Sequence, residues 1–327
     1  MQQPQKKSIF ARFGTPLVHV ALPLCVTAAA ALGVFLLLGG CSSTGTPKGI
    51  TNPGNLRDAM PVVLESTTPA QRVIDNGKAT LDYSNAEDGY ICVKSKLDGI
   101  KVKVLVKVAD AQYQYTINNP GQYITIPLSQ GDNTYSVGVW ENISGDKYAA
   151  VFSQDVQVTL SSEFAPFLRP SQYVSYSAGD ESTELSQVLA EGATSDVEAI
   201  NGIYTWVVEN IDYDTYKAET VAPGYLPVND DTINTKTGIC FDYAVLTVSM
   251  LREQRIPAKL VIGYAGTAYH AWIRVYSFDE GEVIADYSFN GDEWVHMDPT
   301  FNASSKGTIN LASLIGNGTN YQPMYYY

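Results

Sequence analysis

Cysteine is scarce in this chain, four residues in 327, and histidine is scarcer still at three. So few thiols exclude a disulfide-stapled scaffold, and no Cys/His cluster with metal-ligand spacing is visible. No cofactor is expected. Basic charge is also short: 21 Lys and Arg stand against 34 Asp and Glu, a formal net charge of −13. Nucleic acid is therefore excluded as a partner, because nothing is available to neutralise phosphates. With 45% hydrophobic and 17% charged residues, the composition is that of a globular chain long enough for two domains.

Long apolar runs are missing except in the first forty residues. There Lys6, Lys7 and Arg12 precede an almost wholly apolar stretch from Leu17 to Leu38, the layout of a signal peptide. The stretch ends in Leu38-Gly39-Gly40-Cys41, which resembles the lipobox of bacterial lipoproteins. That resemblance implies lipidation of Cys41 and a chain held at the cell membrane, outside the cytoplasm. An uncleaved membrane anchor is the competing reading, since the run approaches the length of a span. Residues 1–40 are thus expected as a leader. Residues 41–70, rich in Ser, Thr, Gly, Pro and Asn, are expected as a flexible linker.

From about residue 80 the pattern has period two. In "IKVKVLVKVA", Val102, Val104, Val106 and Val108 face one way and Lys101, Lys103 and Lys107 the other, which predicts a half-buried strand. Further runs of this type are separated by "NNPG", "SQGDN" and "ISGDK", the residues tight turns require. The expectation is a small all-β, sandwich-like domain over residues 71–162. Within it Cys92 reads as a buried strand thiol.

Beyond Pro170 the period changes. Ser195-x-x-Glu198 is a capping-box pattern, followed by Val197, Ile200, Tyr204, Val207, Val208 and Ile211 near one helical face. A second helix is predicted from near Gly238 to about Gln254, ended by Pro257, and three strand-like runs follow it. Cys240 then stands at the first turn of that helix, where the aligned peptide dipoles favour a thiolate. Asp242 reads as a favourable charge in the same turn. Outside the leader only His270 and His296 can serve as the base that a thiol nucleophile needs.

"GICFDYAVLTVSMLREQRIPAKLVIGY", "YHAWIRVY" and "EWVHMDPTF" together resemble the transglutaminase-like superfamily. The resemblance covers about residues 183–305 and implies a papain-like α+β core. The chain as a whole is therefore expected to be α+β, with this core over residues 183–327 preceded by the all-β domain. It further implies Cys240 as nucleophile, His270 as general acid and base, and Asp298 as the carboxylate that orients the imidazole. His296 is the rival base by position alone. For the oxyanion the natural donor is the Cys240 backbone N–H, with the Asn234 side chain, six residues earlier, as a second candidate. Two departures from the family pattern stand out: Arg255 precedes Ile256-Pro257 where a Gly is usual, and residues 279–292 make a long excursion.

The expected activity is acyl transfer from an amide through a thioester, mainly to water, on a protein or peptide substrate at the cell surface. The alternative is a non-catalytic lipoprotein that binds peptides with the same fold.

Overall fold

Alternating valines organise the first half of the chain. The structure, a computed structural model, describes residues 56–284, 287–305 and 320–327. The expected leader, the proposed lipidation site Cys41 and the start of the linker lie outside the described residues. Eight strands follow: β1 (Val73–Asp75), β2 (Ala79–Asp82), β3 (Tyr90–Ser95), β4 (Val102–Val108), β5 (Ala111–Ile117), β6 (Ile124–Pro127), β7 (Asn133–Ser144) and β8 (Lys147–Val158). They form two four-stranded antiparallel sheets, ordered β1-β2-β3-β6 and β5-β4-β7-β8. Val102, Val104, Val106 and Val108 are all buried, as period two requires, and Val104 sits between Tyr115 and Val139. Cys92 is a free, buried thiol in β3, and burial pushes its pKa up to about 11.

Residues 56–70 carry no helix or strand, yet they are not loose. The Arg57 N–H donates to Ala193 O and the Val62 N–H to Glu253 O, both at 2.8 Å. The Arg57 side chain adds a 2.6 Å bond to Asp196 and a 2.9 Å bond to Gln254. The end of the expected linker is therefore a strap laid across the C-terminal half.

That half opens with α1 (Glu181–Ala190) and α2 (Asp196–Asn210). Ser195 caps α2 by accepting the Glu198 N–H at 3.1 Å. The reciprocal bond goes one residue upstream of the expected box, from the Thr194 N–H to Glu198 Oε2 at 2.7 Å. Then come β9 (Asp212–Tyr213), α3 (Thr215–Thr220), α4 (Asn229–Thr235), β10 (Thr237–Gly238), α5 (Cys240–Glu253), β11 (Ala258–Ala265) and β12 (Ala268–Val275). The excursion at 279–292 contains a hairpin of β13 (Glu280–Val283) and β14 (Tyr287–Asn290). β15 (Val295–Met297), α6 (Pro299–Ser305) and β16 (Tyr321–Tyr326) complete the described chain.

The central helix α5 buries every residue except Phe241. A helix covered on all sides has to sit between layers. It packs on α1, α2 and α6 and on the antiparallel sheet β15-β12-β11-β16. Its end explains the missing glycine: Arg255 itself takes the left-handed conformation, φ 63°, and the Ile256 N–H closes the helix on Leu251 O at 3.0 Å. The Arg255 guanidinium then reaches Asp58 of the strap at 3.1 Å.

The last strand joins the two halves. Tyr325 and Tyr327 meet the Tyr113 ring at 5.4 and 5.6 Å, and Tyr327 stacks on Tyr173 at 4.2 Å. Beneath them Arg252, fully buried, donates to the backbone oxygens of Ala258, Arg169 and Tyr327. A buried guanidinium with three carbonyl acceptors fixes helix, connector and final strand at one point.

Candidate active site

The site starts at the N-terminus of α5. Gly238 precedes it by two residues, and a Cβ there would fall 2.7 Å from Asp242 Cβ, so only glycine allows this turn. Asp242 is fully buried, and its Oδ2 accepts the Ile239 N–H at 2.7 Å, which closes the helix end just before Cys240. The charge is compensated: Lys217 Nζ lies 2.9 Å from the same oxygen, and the Tyr225 hydroxyl donates to Oδ1 at 2.5 Å. A carboxylate two residues from a thiol would oppose a thiolate, and Lys217 offsets that charge locally.

Cys240 is buried, 6% exposed. Its Sγ is close enough to His270, which is presented by β12 opposite Gly263 of β11, to act on the charge of the imidazole. The His270 Nε2–H donates to Asp298 Oδ2 at 2.7 Å, leaving Nδ1 for the sulfur. Asp298 is fully buried at the end of β15, with its Oδ1 accepting the N–H groups of Thr300 and Phe301 at 3.1 Å each. Tyr321 of β16 donates its hydroxyl to Oδ2 at 2.9 Å.

Burial works against charge on His270, but the Asp298 carboxylate and then the Cys240 sulfur outweigh it and raise its pKa well above the ordinary value. Burial likewise opposes ionisation of Asp298, but the His270 charge and the hydrogen bonds it accepts hold its pKa below the ordinary value. The favoured state is therefore an imidazolium paired with a carboxylate beside the Cys240 sulfur. This is the charge arrangement a cysteine nucleophile needs before it attacks.

The structure brings Cys240, His270 and Asp298 together and leaves two sequence candidates outside. Asn234 is exposed on α4, where its Nδ2 donates to Glu181 Oε1 at 3.2 Å. The expectation of a side-chain oxyanion donor there is corrected. Lys236 turns left-handed at φ 54° after α4, and β10 pairs with β9 before α5 begins, so six residues of chain do not lead into the site. The Cys240 N–H remains as a first-turn donor with no carbonyl to meet inside the helix. His296 packs edge-on to Tyr321 at 4.3 Å and beside Trp272 at 5.9 Å, and burial lowers its pKa to about 4. It is a neutral packing residue behind Asp298.

Sequence reasoning missed Lys217, Tyr225 and Tyr321. Only Tyr321 left a signal, the alternation of Tyr321, Pro323, Tyr325 and Tyr327 near the end of the chain. Aromatic side chains neighbour Cys240 and His270 along the chain. Phe241 faces Tyr173 and Tyr225, each at 6.4 Å, and the half-exposed Tyr269 crosses Tyr264 at 5.6 Å. Among the described residues no three Cys, His, Asp or Glu side chains converge to hold a metal, and no helix is long and apolar enough to cross a membrane.

A buried Cys–His–Asp line, with the Cys opening a central helix and the His and Asp on an adjacent antiparallel sheet, defines a papain-like α+β core. Residues 183–299 match the family described as the transglutaminase-like superfamily, and this part of the chain is a transglutaminase-like domain. The chain is 33% identical over 88 residues to the UPF0252 protein MJ1282 of Methanocaldococcus jannaschii. That match takes in 23% of this chain and 25% of the archaeal protein, so the chain spans about a quarter of the length of the curated relative it matches. Among solved structures, a protein described as a candidate cysteine protease from Cytophaga hutchinsonii is similar at 17% identity and TM-score 0.36, over 73% of this chain and 83% of that one. The transglutaminase of red sea bream is similar at 12% identity and TM-score 0.26, over 64% of this chain and 48% of that one.

Proposed function

We propose that the protein is a cysteine enzyme that cleaves an amide by acyl transfer through a thioester, with water as the main acceptor. The observation that carries this reading is the buried His270 imidazole, hydrogen-bonded to Asp298 and set beside the Cys240 sulfur. The Cys240 sulfur attacks the amide carbonyl, and the oxyanion that forms lies against the Cys240 N–H. His270 gives its proton to the departing amine, leaving a thioester on Cys240. The neutral imidazole then takes a proton from water, whose oxygen attacks the thioester; the C–S bond breaks, releasing a carboxylic acid and restoring the Cys240 thiolate beside the imidazolium.

The same proposal places the enzyme at the outer face of a membrane, tethered through lipid on Cys41 and acting on nearby peptides. Lipid labelling that persists in Cys41→Ser would reject the tether. The activity is tested with a glutamine-bearing peptide plus a primary amine, analysed for products. Free acid as the main product supports hydrolysis, and dominant amine incorporation replaces it with cross-linking. No acylated Cys240 in a His270→Ala trap, together with ordinary alkylation kinetics of the wild-type thiol, would favour a non-catalytic peptide-binding role.

A further inference from the structure

Tyr321 lies beyond the segment that matches the family, on a strand that none of the three sequence blocks contains. Nevertheless its hydroxyl reaches the one Asp298 oxygen that also holds His270: Oδ2 accepts from Tyr321 at 2.9 Å and from His270 Nε2 at 2.7 Å. We propose that Tyr321 is a positioning residue of this site, which sets through Asp298 how strongly His270 holds its proton. The inference rests on the reading of Cys240 and His270 as the reacting pair only for its kinetic readout.

The strand is built to bring this hydroxyl to one place. Tyr321 pairs with Ala265 across β16 and β11, and its ring crosses Trp272 at 5.0 Å and His296 at 4.3 Å. Two residues along β11, Gly263 lies opposite His270 on one side and passes under β16 on the other. A Cβ at Gly263 would strike Gln322 O at 2.1 Å, so glycine is what lets β16 approach this close to the histidine strand. The far end of β16 is fixed by the tyrosine cluster and by Arg252. Burial, and then the Asp298 charge, push the Tyr321 phenol far above its ordinary pKa, so the hydroxyl stays a donor across the working range.

The groups facing Asp298 are few and their contributions separable. From β12 comes His270, and from β16 Tyr321. From β14 Tyr287 accepts the Asp298 N–H at 3.0 Å, and from α2 Tyr204 lies behind it, 3.3 Å from the Tyr287 hydroxyl. From β15 comes neutral His296, with Arg274 of β12 close to it. Of these, Tyr321 is the one that shares the oxygen with His270. A donor there draws negative charge from Oδ2 and so weakens its hold on the imidazolium. Without it, Oδ2 binds the imidazolium more tightly, while the carboxylate itself becomes easier to protonate.

The test uses Tyr321→Phe and 3-fluorotyrosine placed at position 321, both in the full chain. The titration of His270 is followed by imidazole 15N NMR, and Cys240 alkylation by iodoacetamide is followed from acid to alkaline pH. Loss of one bond to a charged group should move the His270 titration upward, a roughly three- to tenfold change in its proton affinity, with both limbs of the alkylation profile following. The fluorinated residue donates more strongly and should move the titration down. His296, whose ring contact is kept in both variants, should titrate as before. An unmoved His270 titration in both variants overturns the proposal, as does a uniform loss of rate with the profile unshifted. Should the wild-type thiol show only ordinary reactivity, the proposed enzyme fails while the NMR titration still decides the role of Tyr321. The fluorinated chain keeps every contact, so the question is answered even if the Phe variant folds poorly.

Discussion

Lys217 Nζ lies 2.9 Å from Asp242 Oδ2, the oxygen that caps the helix carrying Cys240. Capping the helix and placing a carboxylate near the Cys240 sulfur are thereby reconciled. Asp242 completes the helix end, and Lys217, delivered by the short helix α3, cancels the charge that capping brings in. The Tyr225 hydroxyl ties the following loop to the same carboxylate, and Lys217 Nζ in turn reaches Tyr225 at 2.7 Å.

Lys217→Met therefore leaves a buried carboxylate without its cation. The expected loss of stability is about 2–3 kcal/mol, read from urea unfolding, because the penalty of an unpaired buried charge exceeds that of a lost surface pair. Alkylation of Cys240 at pH 7 should slow in the same variant, since the uncompensated charge opposes the thiolate. Lys217→Arg should recover most of both. Equal alkylation rates in Lys217→Met and wild type would show that Asp242 is not felt at the sulfur.

On the proposed mechanism the three site residues should contribute unequally. Cys240→Ala should abolish covalent acylation, and His270→Ala should cost about 10³-fold in turnover, since one group both takes and gives the proton. Asp298→Asn is a cleaner probe than Ala, because it fills the pocket formed by Tyr321 and the two backbone N–H groups. It should retain measurable activity, reduced about 10²-fold or more, because the carboxylate orients without reacting. His296→Ala should change stability but not the shape of the pH profile. Mass spectrometry of the acyl-enzyme and steady-state rates distinguish these outcomes.

The sign of the pH dependence follows from the pair. The His270 pKa is raised in the folded state, so its ionic contribution is fully present below the unfolded value near 6.5 and is lost as pH rises through the higher folded value. The Asp298 pKa is lowered, so its contribution is present above the ordinary carboxylate value and lost as pH falls through the lower folded one. Turnover should therefore continue well above pH 7 and decline only in the alkaline range. A decline centred near 6.5 would mean that His270 titrates as an ordinary imidazole.

Glu253 gives an independent test away from the thiol. It is fully buried, its Oε1 accepts from the Ser182 and Thr183 hydroxyls, and its Oε2 has no partner among the described residues. Burial raises its pKa to about 7 from 4.5, against the hydroxyls that lower it. The folded state therefore holds a proton that the unfolded state has lost, and stability falls as pH rises between those values. Glu253→Gln removes that dependence. It should stabilise the protein at pH 8 by on the order of 2–3 kcal/mol, an advantage that disappears below about pH 4.5. Urea midpoints of both proteins across this range measure the difference.

Much of the fold was legible locally. The valine alternation of β4, the Ser195 cap of α2 and the start of α5 at Cys240 are fixed by residues within a few positions of one another. Backbone period and capping act over that range, so a linear reading recovers them. The Cys240, His270 and Asp298 blocks were legible for a related reason, since each carries its own local context of helix start or strand.

What the sequence by itself determined, then, is the alternating strand of β4, the helices α2 and α5 with the strands that follow, the α+β character of the C-terminal half and the three residues that meet. Tertiary structure alone decided what surrounds them. Asn234 faces Glu181 because a left-handed Lys236 redirects the chain, Lys217 finds Asp242 across 25 residues, and Tyr321 reaches Asp298 from a strand on the far side of β11. The strap from Leu56 likewise docks on α5, 197 residues away in the case of Arg57 and Gln254. These contacts satisfy buried polar groups, and a buried group takes whichever partner packing brings within about 3 Å. Neither period nor motif carries that information. It arises only when helices and strands distant in the chain close on a common core.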